Sequence, residues 1–475
     1  MRADGAAMRA AGSAAPSAHG GAAWYVIAPL LLGTFMGTVN NNIVTVPLNA
    51  IARDLGVGVG EGALVVIGFS ITAAALMPLA GWAGDRIGRR RVFCLSVVGV
   101  GVGALGAAFA PNLATLVLFR VVQGATSAAI LPAVLGIITG LIGVERRGRA
   151  VGLWAGANGL GQAVGPPAGG LIAGFAGWRW IFAPTVAIAV IALLTTLRFV
   201  PSDRARRVGL EWRGAAALTA GAALLLVAAA GVPISGVGSA PVLVSFGLGA
   251  VLLVLFWRAI HRAAVPFVPP SLLVERAYLR SSLAVATQMF CLGSMLLGIP
   301  LYLTRVAGVG VGKAGLLLLA LPALMTLLAP LAGISTERWG GRVTLRTGLA
   351  VLVATQLALA LVLASPTATG AVLVIALGVA GIGVALVQTS AATGATRSAA
   401  GRVGAGLGLY NLLRFTGSAL GAAWVAGVVS GDGPFPLIFA GASVVALLGL
   451  AAAFLPGRDE RPAMITTEAV DAQTP

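Results

Sequence analysis

Apolar residues fall along this chain in long runs, separated by short polar breaks rich in arginine. A helix crossing the hydrocarbon core of a bilayer needs roughly 20 apolar residues. Fourteen runs reach about that length. Six lie near 24–46, 62–82, 92–110, 114–142, 150–174 and 180–200. Two shorter, alanine-rich runs follow near 214–232 and 241–257. The last six lie near 282–303, 314–333, 344–364, 370–393, 404–429 and 436–455. The pattern predicts an all-α membrane protein with fourteen transmembrane helices.

One polar break occurs twice. Met77–Arg90 reads MPLAGWAGDRIGRR, and Ala329–Arg342 reads APLAGISTERWGGR, with Gly81 and Gly333 separated by 252 residues and no gap in the alignment. Pro78, Gly81, Arg86, Gly88 and Arg90 recur as Pro330, Gly333, Arg338, Gly340 and Arg342, while Asp85 becomes Glu337. A charged turn used twice between apolar runs implies two parallel halves. Six helices with their loops need about 180–190 residues. The longer spacing leaves room for two more helices between the halves. The expected organisation is a polar, disordered cytoplasmic tail over 1–22 and a six-helix bundle over 23–200. Two inserted helices with linkers over 201–280, a second bundle over 281–456 and a cytoplasmic tail over 457–475 complete it.

Composition agrees with the pattern. The chain is 58% hydrophobic and 9% charged, with a mean hydropathy of +0.99; a soluble domain carries about 25% charged residues. The formal charge of +17 is spread over the breaks between apolar runs, so it gives no nucleic-acid footprint. With the N-terminus placed in the cytoplasm, 25 of the 31 basic residues fall on the cytoplasmic side, and four (Arg53, Arg179, Arg305, Lys313) fall outside. That bias fits the positive-inside rule with both termini cytoplasmic in a multi-pass protein of the cell membrane. The N-terminal stretch has no apolar core of its own, so a cleaved signal peptide is not expected. The two cysteines, Cys94 and Cys291, lie in apolar runs and imply neither a disulfide framework nor a metal site. No cofactor is implied. No P-loop pattern, pathway histidine or paired carboxylate is present, which argues against an ATPase and against an enzyme. A sensor or scaffold would need a recognition domain, and no loop is long enough to hold one.

The chemistry-bearing motifs resemble those of the major facilitator superfamily, and most closely its fourteen-helix drug/proton antiporter branch, from residue 24 to about 455. Gly81-Trp82-Ala83-Gly84-Asp85-Arg86-Ile87-Gly88-Arg89-Arg90 is similar to the superfamily's loop signature between the second and third helices. Asp85 stands near a helix end and can bond a neighbouring helix N-terminus. Gly161, Gly165, Pro166, Gly169 and Gly170 match the antiporter signature G-x-x-x-G-P-x-x-G-G in the fifth run. Glycines at this spacing let a neighbouring helix approach closely, and proline removes a backbone donor. Arg120, Gln123 and Gly124 match the family pattern R-x-x-Q-G, and Arg414 resembles a recurrent arginine of the branch. The resemblance implies two six-helix bundles with two inserted helices. It further implies alternating access and secondary active export of small amphipathic or antibiotic-like molecules. The implied gating residues are Gly81, Asp85, Arg86, Gly88, Arg89, Arg90, Glu337 and Arg338, with the glycines and Pro166 of the fifth run.

One position departs from the family. Where the branch commonly has a titrating aspartate in its first helix, this chain has Asn40, followed by Asn41 and Asn42. Asparagine carries no proton. All fourteen acidic residues fall in tails or loops of the expected topology, so a proton is an uncertain coupling partner. A central cavity in this fold would be lined mainly by the first and fourth helices of each half. It is expected to gather Asn40, Asn41, Asn42, Arg120, Gln123, Gln288 and Gln388, with Arg414. Its partners are then a small-molecule substrate and the lipid bilayer, in a chain expected to act as a monomer. A carrier of a neutral or anionic metabolite without proton coupling is the competing expectation.

Overall fold

The computed structural model describes residues 22–203, 205, 208–364, 370–431 and 433–455. Apart from Ala22, the two expected tails lie outside the described residues. Among those residues the regular structure is entirely helical. Six long helices come first: α1 (Ala22–Asn42), α2 (Leu64–Ile87), α3 (Arg89–Ala108), α4 (Leu113–Leu141), α5 (Arg147–Ala176) and α6 (Ala183–Phe199). Next are α7 (Trp212–Ser235) and α8 (Ala240–Arg262). The last six are α9 (Arg276–Arg305), α10 (Ala320–Arg338), α11 (Gly341–Ala364), α12 (Gly370–Arg397), α13 (Gly404–Ser430) and α14 (Phe435–Ala452).

Among the described residues, twelve helices are long and apolar enough to cross a membrane, two fewer than the fourteen runs predict. The two outside that set are α1 and α5. α1 spans 21 residues and ends in three asparagines. α5 spans 30 residues but is diluted by glycines, Asn158, Gln162, Pro166 and Pro167. α5 is thus long but polar for a membrane span, whereas in α1 the asparagines are confined to the last turn.

The helices overrun the apolar runs by about a turn. α2 continues past the expected end at 82 to Ile87, and α9 begins at Arg276 instead of 282. What reads as a charged loop is therefore a single-residue break. Gly88 has φ +102° and joins α2 directly to α3; its repeat partner Gly340 has φ +87° and precedes α11. Both angles lie where a side chain is strained, so glycine is what allows so abrupt a turn. Asn112 caps α4 by accepting from the Thr115 N–H at 2.9 Å, and Glu211 caps α7 through the Gly214 N–H.

Within the first six helices, α1 packs on α5 and α6, and α4 packs on α2 and α3. Within the last six, α9 packs on α12, α13 and α14, and α11 on α12 and α14. Two seams join the sets: α2 lies along α13, and α5 lies along α10. The inserted α7 and α8 pack on each other, and α7 also touches α2 and α13. The arginines of the 86–91, 146–149, 338–346 and 397 regions gather at one end of the helices, called here the arginine-rich end.

Candidate substrate cavity and gate

A cavity lies between the two sets of helices. Its walls come from α1, α2, α4 and α5 on one side and from α9 and α13 on the other. Of the residues expected there, Asn41, Asn42 and Arg414 line it. Asn158 and Gln162 of α5 also line it and were not expected there, although Gln162 lies inside the glycine signature of the fifth run. Asn41 accepts from the Ser70 hydroxyl at 3.1 Å, and Asn158 accepts from Thr38 at 3.1 Å.

The other expected lining residues are elsewhere. Asn40, Arg120 and Gln123 are fully buried and outside the cavity lining. They form a knot inside the first half. Arg120 donates from Nη1 to Gln123 Oε1 at 2.6 Å and to the Asn40 carbonyl at 3.0 Å, and from Nε to the Val65 carbonyl at 3.0 Å. Asn40 Nδ2 donates to Gln123 Oε1 at 3.2 Å. The Arg120 guanidinium lies 4.3 Å from the Phe69 ring centroid. Gly124 allows this, because a Cβ there would collide with the Phe69 carbonyl. Protein oxygens thus take Nε and Nη1 of Arg120, while its Nη2 is buried without a hydrogen-bond partner. Gln288 and Gln388 are also fully buried outside the lining, and Gln388 accepts from Arg414 Nη2 at 3.4 Å. These five residues are corrections to the expected cavity. The sequence located their helices, but the packing turned them inward.

Both seams are tightest at the arginine-rich end. A Cβ on Gly81 would meet the Gly404 carbonyl, one on Gly404 the Gly81 carbonyl, and one on Gly408 the Met77 carbonyl. The other seam repeats the device. A Cβ on Gly333 would come within 2.6 Å of the Gly148 carbonyl, and one on Gly152 within 2.6 Å of the Ala329 carbonyl. Bare backbone meets bare backbone across both seams.

Carboxylates fasten these approaches. Asp85, 7% exposed, accepts from the Gly404 N–H at the start of α13. Its other oxygen takes Arg89 at 3.0 Å, and Arg89 also donates to the Gly136 carbonyl. Glu337 accepts from the Arg149 N–H at 2.9 Å in the first turn of α5 and pairs with the Arg149 guanidinium at 2.8 Å. In each case a carboxylate at one helix end meets exposed N–H groups at the start of another, a favourable use of helix polarity. Arg147 adds a third link, donating to the Thr396 carbonyl at 3.3 Å and the Thr139 carbonyl at 3.1 Å. Asp203 accepts from the N–H groups of Arg89 and Arg90 at 2.6 and 3.0 Å, so the segment after α6 supports the same turn. Arg86 and Arg338 are exposed.

The glycine motif of α5 faces a different neighbour. Cβ atoms on Gly161, Gly165 and Gly169 would meet Thr38, Asn42 and the Ile43 carbonyl of the α1 region, and one on Gly170 would meet Val46. That seam lies within the first half. The α5 glycines at the seam between halves are Gly148, Gly152, Gly156 and Gly159, which face Gly333, Ala329 and Thr326 of α10; Gly404 and Gly408, 256 residues after the first two, stand at the corresponding place on the other seam. The repeated spacing was a signal in the sequence.

The model of the Major Facilitator Superfamily matches residues 30–422 and 281–472. This chain belongs to that superfamily. Among curated relatives, the multidrug resistance protein Stp of Mycobacterium tuberculosis is 30% identical over 404 residues, 84% of this chain and 74% of that protein. The drug efflux pump JefA of the same species is 30% identical over 84% of this chain and 79% of its own length. The puromycin resistance protein pur8 of Streptomyces alboniger is 31% identical over 59% of this chain and 56% of its own length. Among solved structures, the human organic anion transporter MFSD10 superposes with a TM-score of 0.67 at 18% identity, covering 91% of this chain and 99% of that one. The proton:xylose symporter XylE gives 0.66 at 13% identity, covering 92% and 96%. At these identities the likeness is one of fold. The protein is accordingly a multi-pass membrane protein with the all-helical facilitator fold.

At the end opposite the arginine-rich one, Asp54 accepts from Trp178 Nε1 at 2.9 Å and from Arg179 at 2.7 Å. The bonds from Trp178 and then Arg179 hold its carboxyl below the usual carboxylate range. A lowered pKa keeps this tie intact above the ordinary carboxylate pKa, and the tie is lost only as pH falls through the lowered value.

The Arg120 knot has a testable consequence. Arg120→Met removes three hydrogen bonds to buried oxygens, of which Gln123 Oε1 keeps Asn40 as a donor, at a cost of about 3 kcal/mol. The expected result is a lower thermal stability of the purified protein with an unchanged range of transported compounds. Unchanged stability with an altered range would return Arg120 to the substrate pathway.

Proposed function

We propose that the protein is a secondary active exporter of small amphipathic or antibiotic-like molecules, working by alternating access. The observation that carries this reading is a cavity lined by both halves, with two related backbone seams fastened below it at the arginine-rich end. Export is supported by the drug efflux and resistance roles named for Stp, JefA and pur8. The decisive experiment is an efflux screen in a host lacking its own major exporters. Reduced accumulation of at least one antibiotic or dye on expression is expected; equal accumulation across a broad panel would reject the reading.

In this reading α1 and α5 also cross the membrane, because at about 1.5 Å per residue both can span a core of about 30 Å. That makes fourteen spans, organised as bundles over 23–200 and 281–456 with the insert over 201–280. The arginine-rich end is cytoplasmic by the positive-inside rule, so both termini face the cytoplasm and the described conformation is closed on that side. The Gly236–Ala240 turn between α7 and α8 then faces outward. A cysteine at Gly238 is expected to react with an impermeant thiol reagent on intact cells; reaction only after lysis would misplace the inserted pair.

Coupling to protons is expected to be weak. The described acids stand at helix ends or in connections, and Asn40 occupies the position of the family's aspartate. Transport in proteoliposomes should change little when ΔpH is collapsed. Asn40→Asp should make it pH-sensitive, because a carboxylate beside Arg120 and Gln123 can exchange a proton. A substrate-driven proton flux in the unmodified protein, abolished neither by replacing Asp54 nor by replacing Glu61, would contradict this.

A further inference from the structure

Arg414 is the one charged side chain among the described residues lining the central cavity. It is 4% exposed. Nη2 donates to Gln388 Oε1 at 3.4 Å, long for a bond from a charged donor. Nε and Nη1 have no partner. The guanidinium carbon lies 5.5 Å from the Trp154 ring centroid and 6.0 Å from that of Phe415. Two ring faces soften the burial of the charge but leave its planar N–H fork unused. No carboxylate is among the lining residues. Arg120, in contrast, gives its Nε and Nη1 to protein oxygens and has no place in the lining.

A buried cation without a counter-ion is costly, and intramembrane charges face pathways when they have a use there. The rest of the wall is largely apolar: Phe69, Met77, Ile130, Leu131, Met289 and Leu292. We infer that the cavity selects amphipathic organic anions, whose carboxylate, sulfonate or phosphate group docks on the free edge of the Arg414 guanidinium while the apolar part lies against that wall. This names the substrate class of the exporter proposed above and rests on the same cavity. Its volume in this conformation is about 140 Å³, below the roughly 300–1,000 Å³ of pockets for drug-sized ligands. Small aryl acids are therefore suitable probes.

The test uses the full chain in nanodiscs of zwitterionic lipid and three probes of one skeleton: 4-phenylbutyrate, 4-phenylbutyramide and 4-phenylbutylamine. Binding is measured by equilibrium dialysis with radiolabelled probe. The acid is expected to bind about tenfold or more tightly than the amide, the fold-change expected of a charge-assisted hydrogen bond, with the amine weakest. Arg414→Gln should bring the acid to the level of the amide and leave the amide unchanged. A second variant covers the case in which Arg414→Gln fails to fold. Ser418→Asp places a carboxylate one helical turn from Arg414 on the cavity wall, keeps the guanidinium, and should reverse the preference toward the amine. Equal binding of acid and amide by the unmodified protein would overturn the inference. So would no binding of the acid at millimolar concentration, or an acid preference that survives Ser418→Asp. The two readings fail separately. Efflux confined to cationic or neutral compounds removes the anion class and leaves the exporter, whereas an Arg414-dependent acid preference without any efflux keeps the site and removes the exporter.

Discussion

Gly404→Ala is expected to abolish transport while leaving the protein in the membrane at normal levels. The new methyl group would land on the Gly81 carbonyl of α2, a backbone atom that cannot rotate away. Over-packing of this kind costs about 1–3 kcal/mol. The cost falls only on the conformation in which α2 and α13 are in contact, so it shifts the gate equilibrium by roughly five- to 150-fold toward opening at the arginine-rich end. Gly427→Ala, in the same helix but with nothing within 4 Å of the added carbon, is the control and should be neutral. Gly152→Ala, on the related seam, should act in the same direction but less strongly, since its contact with the Ala329 carbonyl is 2.6 Å. Transport assays at matched expression, with cysteine labelling from the arginine-rich side, provide the measurement. Full activity of Gly404→Ala would mean that the seam does not close during the cycle.

The second large effect is expected at Asp85. Asp85→Asn removes the charge that meets the N-terminus of α13 and pairs with Arg89, both in a largely buried setting. Charge-assisted bonds of this type are worth about 1.5–3 kcal/mol. Glu337→Gln touches a weaker latch, because its partner Arg149 is 53% exposed and exposed pairs contribute about 0–1 kcal/mol. Transport should therefore fall about tenfold in Asp85→Asn and less than about fivefold in Glu337→Gln. Equal and negligible losses would remove the gating role from both. Asp85 is also tied indirectly to the segment after α6, because Asp203 supports the start of the helix that carries Arg89. In sequence that segment leads to α7, which touches both α2 and α13.

The sequence by itself determined where the helices run and that the chain repeats. Apolar runs report bilayer thickness directly, and the glycine pair Gly88 and Gly340 marks the same sharp turn in each half. The turn signature also placed Asp85 at a helix end, where a carboxylate can meet the N-terminus of another helix. That this helix is α13, 319 residues away in sequence, was decided by the tertiary structure. So was the sorting of the polar residues. Asn40, Asn41 and Asn42 are consecutive, yet Asn40 turns into the Arg120 knot while Asn41 and Asn42 face the cavity. Arg120 and Arg414 look alike as lone arginines in apolar runs, but Arg120 gives its Nε and Nη1 to protein oxygens while both of those nitrogens in Arg414 remain unused. The physical reason is the solvent. In a soluble helix the polar stripe reveals which face is outside. In a bilayer the lipid-facing and helix-facing sides are both apolar, so periodicity does not say which way a given residue points. Only the packing of the helices around one another makes that choice.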